Sequence, residues 1–163
     1  MKISEDDKRI IERLIYEYAD MIFRIAYQNL GNRADAEDIF QEVCIALITK
    51  TAPIHDEKHI KNWLIRVTIN KCTNFHKSFW NRNRENLTET IEYIPPAGKE
   101  LLDSIRRLPP KYRNIIYLYY YEGYSIAEIS ELLNMNKNTV SSALSRARKQ
   151  LGEILTEEGL SYG

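Results

Sequence analysis

Two stretches of the chain gather side chains that bind polyanions and hold none that would repel one. From Lys137 to Leu151 there are four bases, Lys137, Arg146, Arg148 and Lys149, and no acid. Between them stand Asn138, Ser141, Ser142, Ala143 and Ser145. Such short residues let a helix backbone approach a groove floor, while amides, hydroxyls and guanidinium groups bond phosphates and base edges. From Lys58 to Arg84 there are seven bases, again without an acid, mixed with Phe75, Phe79, Trp80 and the amides of Asn70 and Asn74. Rings, amides and cations together suit unpaired strands, whose bases stack on aromatic faces and expose their pairing edges. One helical turn separates Asn70 from Asn74, so both amides face the same way.

A third stretch has the opposite sign. Residues 31–50 carry Arg33 and Lys50 against Asp35, Glu37, Asp38 and Glu42, a net charge of minus two. Asp38, Gln41 and Glu42 are spaced to share one helix face, which suits a basic partner; an ordinary solvated face explains such acids as well. Nothing is arranged for covalent chemistry: there is no nucleophile elbow, phosphate loop or carboxylate cluster. Cys44 and Cys72 lack CxxC spacing and read as buried thiols in a reducing compartment. His55 and His59 could share a face but find no third ligand, so neither a metal nor a cofactor is expected.

These residues must be positioned by helices. With 163 residues, 23 Lys plus Arg against 23 Asp plus Glu and 44% apolar content, the chain is globular rather than disordered. Its longest apolar run, Ile115 to Tyr121, is far shorter than the roughly 20 residues of a membrane span. Acids near Met1 argue against a leader peptide, which leads to the expectation of a cytoplasmic protein without membrane insertion. Ile11, Leu14, Ile15, Tyr18, Ile22, Ile25 and Ala26 recur at helical spacing, predicting a helix from Asp7 to Leu30 ended by Gly31. A second helix, about Ala34 to Lys50, places Ile39, Phe40, Val43, Leu47 and Ile48 inward; a third, from Lys58, turns Ile60, Trp63, Leu64 and Val67 to the same core.

Residues 85–98, with Pro95-Pro96 and no sustained period, read as a linker. Beyond it Leu101, Leu102, Ile105 and Leu108 form one stripe, Pro109-Pro110 interrupts, and Tyr112 to Tyr121 begins another helix. Ser125-Ile126-Ala127-Glu128 matches a capping box, Asn134-Met135-Asn136 makes a tight turn, and Val140, Leu144, Ala147 and Leu151 line one face of a last helix. Two short helices about such a turn, the second with a small, polar and basic outer face, form the helix-turn-helix pattern. The tyrosines at 112, 117, 119, 120, 121 and 124 read as packing residues. The expected fold is all-α: two small helical domains joined by a flexible linker, the second a helix-turn-helix.

Taken in order, Ala34-Asp35-Ala36-Glu37-Asp38-Ile39-Phe40-Gln41-Glu42, Asn62-Trp63-Leu64-Ile65-Arg66-Val67 with Asn70, Leu108-Pro109-Pro110-Lys111-Tyr112-Arg113, and Thr139-Val140 to Arg146-Ala147-Arg148 give the chain its kinship. From about residue 7 to 155 it resembles a bacterial sigma factor of the extracytoplasmic-function (ECF) group. The resemblance implies a region 2 domain over residues 1–84, a linker over 85–98, a region 4 domain over 99–155 and an acidic tail over 156–163. It implies that Asp38, Gln41 and Glu42 meet the clamp helices of the polymerase beta-prime subunit, and that the second domain meets the beta flap. Ile54, His55 and Asp56, with Arg66, Asn70 and Asn74, would read the promoter minus-ten element. Asn138, Ser141, Ser142, Ser145, Arg146, Arg148 and Lys149 would read the minus-thirty-five element. Many relatives carry bases where this chain has Ser141 and Ala143, so the reader leans on Arg146, Arg148 and Lys149. An anti-sigma partner is implied too, and no enzymatic activity. Two other readings fit parts of the sequence: a helix-turn-helix regulator that acts without polymerase, and a protein that sequesters a partner through residues 34–50.

Overall fold

The computed structural model describes residues 4–50, 57–82 and 99–157. Among them every regular element is an α-helix: α1 (Glu5–Leu30), α2 (Arg33–Ile48), α3 (Glu57–Arg82), α4 (Lys99–Arg106), α5 (Pro110–Tyr120), α6 (Ile126–Leu133) and α7 (Lys137–Glu157). The expected all-α fold is therefore the observed one. The chain divides into two compact units, residues 1–95 and 96–163.

In the first unit α1, α2 and α3 each pack on the other two. Helix α1 starts where Ser4 Oγ accepts from the Asp7 amide (3.1 Å), satisfying one of the amides a helix start leaves free. It ends at Gly31, whose φ of 92° returns its amide to the Tyr27 carbonyl, a conformation glycine adopts without a side-chain penalty. Asn32 then caps α2 by accepting from the Asp35 amide (2.9 Å). Leu14, Ile22 and Ile25 of α1, Ala36, Ile39, Val43 and Leu47 of α2, and Ile60, Leu64 and Ile65 of α3 are buried together. Phe23 stacks on Phe40 across α1 and α2, with ring centroids 4.6 Å apart.

Several positions differ from the sequence expectation. Helix α2 stops at Ile48: the Thr49 hydroxyl turns back to the Ile45 carbonyl (2.9 Å), and the Lys50 amide bonds the Leu47 carbonyl three residues back (3.3 Å) rather than one four residues back. Ile48 itself faces outward, as the buried set 36, 39, 43 and 47 leaves it on the other side of the helix. Trp63 and Val67 are half-buried rather than core; Trp63 packs against Ile11, Leu14, Leu47 and Ile60 and carries Lys50 Nζ 4.7 Å above its ring. The inward stripe of α3 runs instead through Thr68, whose hydroxyl donates to the Leu64 carbonyl (2.7 Å), and Cys72. Cys72 is buried as expected, but Cys44 is half-exposed.

The second unit packs α5 and α6 against α7, with α4 beside α5 and α7. Pro110 opens α5, a position where its missing amide hydrogen has no partner to lose. Arg113 Nε donates to the Leu108 carbonyl (2.8 Å) and closes the corner between α4 and α5. The buried ring of Tyr117 sends its hydroxyl to Glu122 (2.7 Å), and Gly123, at φ 73°, turns the chain toward α6. Tyr112, Tyr117 and Tyr124 are buried as expected, whereas Tyr120 is half-exposed. Helix α7 extends through Thr156 and Glu157, residues the sequence placed in an acidic tail; Glu157 pairs with Arg107 beyond the end of α4 (3.1 Å).

Candidate nucleic-acid interface

The helix-turn-helix of the second unit is fixed by local hydrogen bonds on both sides of its turn. At the start of α6, Ser125 Oγ accepts from the Glu128 amide (3.1 Å) and Glu128 Oε1 accepts from the Ser125 amide (3.0 Å). Both arms of the capping box read from the sequence are present. At its end Asn134 takes the left-handed conformation (φ 54°), which asparagine tolerates better than most residues. The Met135 amide returns to the Ser130 carbonyl (2.9 Å), and the Ser130 hydroxyl donates to the Met135 carbonyl. Asn136 Oδ1 then accepts from the Asn138 amide (2.8 Å) at the start of α7. A turn held this way sets the direction of α7 against α6.

On α7, Val140, Ala143, Leu144, Ala147, Leu151 and Leu155 are buried. Ala143 therefore belongs to the core, where its small side chain lets α7 pack closely, and it takes no part in the outer face. All seven residues assigned to duplex reading, Asn138, Ser141, Ser142, Ser145, Arg146, Arg148 and Lys149, are exposed. They do not share one environment. Arg148 Nε donates to Tyr120 Oη at 2.6 Å, and its guanidinium lies over the rings of Tyr119 and Tyr120. The tyrosine hydrogen bond raises its already high pKa, so it stays charged. Sequence spacing had treated Arg148 as a free base like Arg146.

The first unit carries two further faces. On α3, Asn70 and Asn74 are exposed one turn apart and Arg66 is half-buried. Ile54, His55 and Asp56 lie outside the described residues. On α2, Asp38, Gln41 and Glu42 are all exposed. Partial burial first, and then the charges of Asp35, Glu42 and Glu37, push the Asp38 carboxyl above its ordinary pKa. That crowding of like charge is relieved when a cation approaches. Part of it is met within the fold, since Arg33 pairs with Glu37 (2.7 Å) and Lys71 of α3 lies 3.6 Å from Glu42. The sequence reading passed over Ile45 and turned Ile48 inward, yet the two stand 60% and 43% exposed. They continue the Asp38, Gln41, Glu42 stripe at seven and ten residues from Asp38, so helical periodicity alone could have found them.

Two family models match this chain: Sigma-70 region 2 over residues 14–82 and Sigma-70, region 4 over residues 98–151. The chain belongs to the sigma-70 family of sigma factors. Between them the two models leave out only residues 1–13, 83–97 and 152–163. Curated relatives place it in the ECF group. The RNA polymerase sigma factor SigV of Bacillus subtilis (strain 168) is 29% identical over 168 residues, spanning 99% of this chain and all of that protein. The ECF RNA polymerase sigma factor SigW of the same organism is 26% identical, over 96% of this chain and 94% of that one. Among solved structures, the sigma factor RpoE in complex with the anti-sigma factor NepR, from Bartonella quintana, superposes with a TM-score of 0.72 at 19% identity, covering 89% of this chain and 96% of that one. CnrH in complex with the cytosolic domain of CnrY gives 0.63 at 20% identity, covering 92% and 90%. At these identities the two structures show a shared fold.

The sigma factor described here directs promoter recognition in transcription initiation, and no helix among its described residues is long and apolar enough to cross a membrane.

Proposed function

We propose that this ECF sigma factor docks on core RNA polymerase through α2, reads the minus-ten element with α3 and the preceding loop, and lays α7 in duplex DNA at the minus-thirty-five element. In this reading residues 1–84 form the region 2 domain, 85–98 the linker and 99–155 the region 4 domain, which also meets the beta flap. Asp38, Gln41 and Glu42 contact the beta-prime clamp helices. Asn70, Asn74 and Arg66, with Ile54, His55 and Asp56, take the opened strand, and Asn138, Ser141, Ser142, Ser145, Arg146, Arg148 and Lys149 take the duplex. The protein is not itself an enzyme: phosphodiester formation belongs to the polymerase, and this chain supplies specificity in the cytoplasm. An anti-sigma protein is a further partner, by analogy with the complexes of RpoE with NepR and CnrH with CnrY.

The observation that carries the reading is the outward face of α7, exposed, polar and basic without an acid from Lys137 to Lys149, on a helix whose start is set by a capped turn. Positive charge there gives affinity for phosphates, and short side chains give access to base edges. Phosphate contacts divided between two small units bind weakly alone and gain strength once polymerase fixes their spacing. The test is run-off transcription on genomic fragments with sigma-free core polymerase: the added chain should start discrete transcripts. A chain that shifts promoter duplex tightly by itself and leaves polymerase silent is instead an independent regulator.

A further inference from the structure

Helix α5 ends in Tyr119 and Tyr120, whose rings meet edge to face with centroids 5.0 Å apart and planes at 73°. Two rings at that angle form a corner, and Arg148 of α7 fills it. Its guanidinium carbon lies 5.1 Å from the Tyr119 centroid and 5.6 Å from that of Tyr120, while Nε donates to Tyr120 Oη at 2.6 Å. Only Nε of the five guanidinium N–H donors is used in that bond, and among the described residues no carboxylate neutralises the charge. An exposed arginine ordinarily samples many rotamers; this one is held with its forked end still available.

Its place on α7 says what for. At about 100° per residue, Asn138, Ser142, Ser145 and Lys149 run along the centre of the outward face. Arg146 and Arg148 fall on opposite borders, each roughly 70–90° away. When the centre of a helix faces base edges, its borders face the two phosphate walls of the groove. We infer that Tyr120, assisted by Tyr119, is a positioning residue that holds Arg148 as a pre-set phosphate clamp along one border of α7. The inference rests on the reading of α7 as the duplex-binding helix.

The probe is a fluorescently labelled, mixed-sequence DNA duplex titrated with the full chain between about 50 and 200 mM KCl. Arg148→Met, which keeps the packing against the rings and removes the charge, should flatten the slope of log K against log salt by about 0.9, one phosphate contact. Tyr120→Ala should weaken binding about two- to fivefold, the worth of an exposed cation–π contact, and have no further effect in the Arg148→Met background. Tyr120→Phe keeps the ring and should lie between, which covers the case in which Tyr120→Ala does not fold. An unchanged slope in Arg148→Met, wild-type affinity in both Tyr120 variants, or an equal loss with Arg148 already replaced would overturn the inference. Lys149→Ala separates the two levels. If it flattens the slope while Arg148→Met does not, the clamp alone is wrong; if neither does, α7 does not bind the duplex and both readings fall.

Discussion

Replacing Ile45 by Ala tests the docking face where the structure adds most to the sequence. Ile45 stands seven residues from Asp38 on α2 and leaves 60% of its surface in solvent. Fully burying an isoleucine side chain yields about 1.5–3 kcal/mol, so the fraction still open can yield about 1–2 kcal/mol when a partner covers it. Alanine keeps the β-carbon and forfeits the rest, a loss near 1 kcal/mol, or about fivefold in Kd. The free protein should not register the change. The side chain makes no part of the core, and alanine favours helix, so stability should move by less than about 0.5 kcal/mol. Biolayer interferometry with immobilised chain and sigma-free core polymerase reads the affinity, and a circular dichroism melt reads the fold. Unchanged affinity would remove Ile45 from the interface. A lowered melting temperature would show that the residue supports the helices instead, and the docking face would shrink to its polar members.

Reversing Asp38 and Glu42 to Lys together should abolish co-elution with core polymerase on gel filtration while leaving the helical spectrum intact, because both carboxylates are exposed. Asn70→Ala should dock normally and impair promoter opening, read as reduced permanganate reactivity of thymines near the start site. Ser125→Ala removes the capping-box arm in which Ser125 Oγ accepts from the Glu128 amide and keeps the backbone arm to Glu128; it should destabilise the second unit by about 1 kcal/mol, lowering its melting transition by roughly 4–8 °C. Burial, reinforced by the Glu42 charge, pushes the Cys72 thiol up to about 12, and burial raises Cys44 as well. Since a raised thiol pKa keeps the unreactive protonated form, alkylation near pH 8 followed by mass spectrometry should modify half-exposed Cys44 first and reach Cys72 only on unfolding. The folded state favours protonated Cys72, so that preference holds below about pH 9 and stability declines as pH rises from there toward about 12.

Local chemistry explains which features were readable early. Caps, turns and periodicity act within a few residues, so the box at Ser125 and Glu128, the turn at Asn134 and the stop at Gly31 follow directly from residue type. The exposed acids of α2 and the polar face of α7 follow from helical spacing in the same way. Spacing does not reveal what a neighbouring helix offers. Trp63 falls on an apolar stripe yet carries Lys50 over its ring face, and Ala143 looks like a groove residue yet faces the core.

By itself, then, the order of residues determined the helices and the stretches of opposite charge, because each depends on interactions closed within one or two turns. Only the tertiary structure decided that Arg148 belongs to Tyr119 and Tyr120, twenty-eight residues from its hydrogen-bond partner, and that Lys71 answers Glu42 across two helices. Those pairings depend on where separate helices come to rest against a shared core, a geometry set by packing rather than by any local preference.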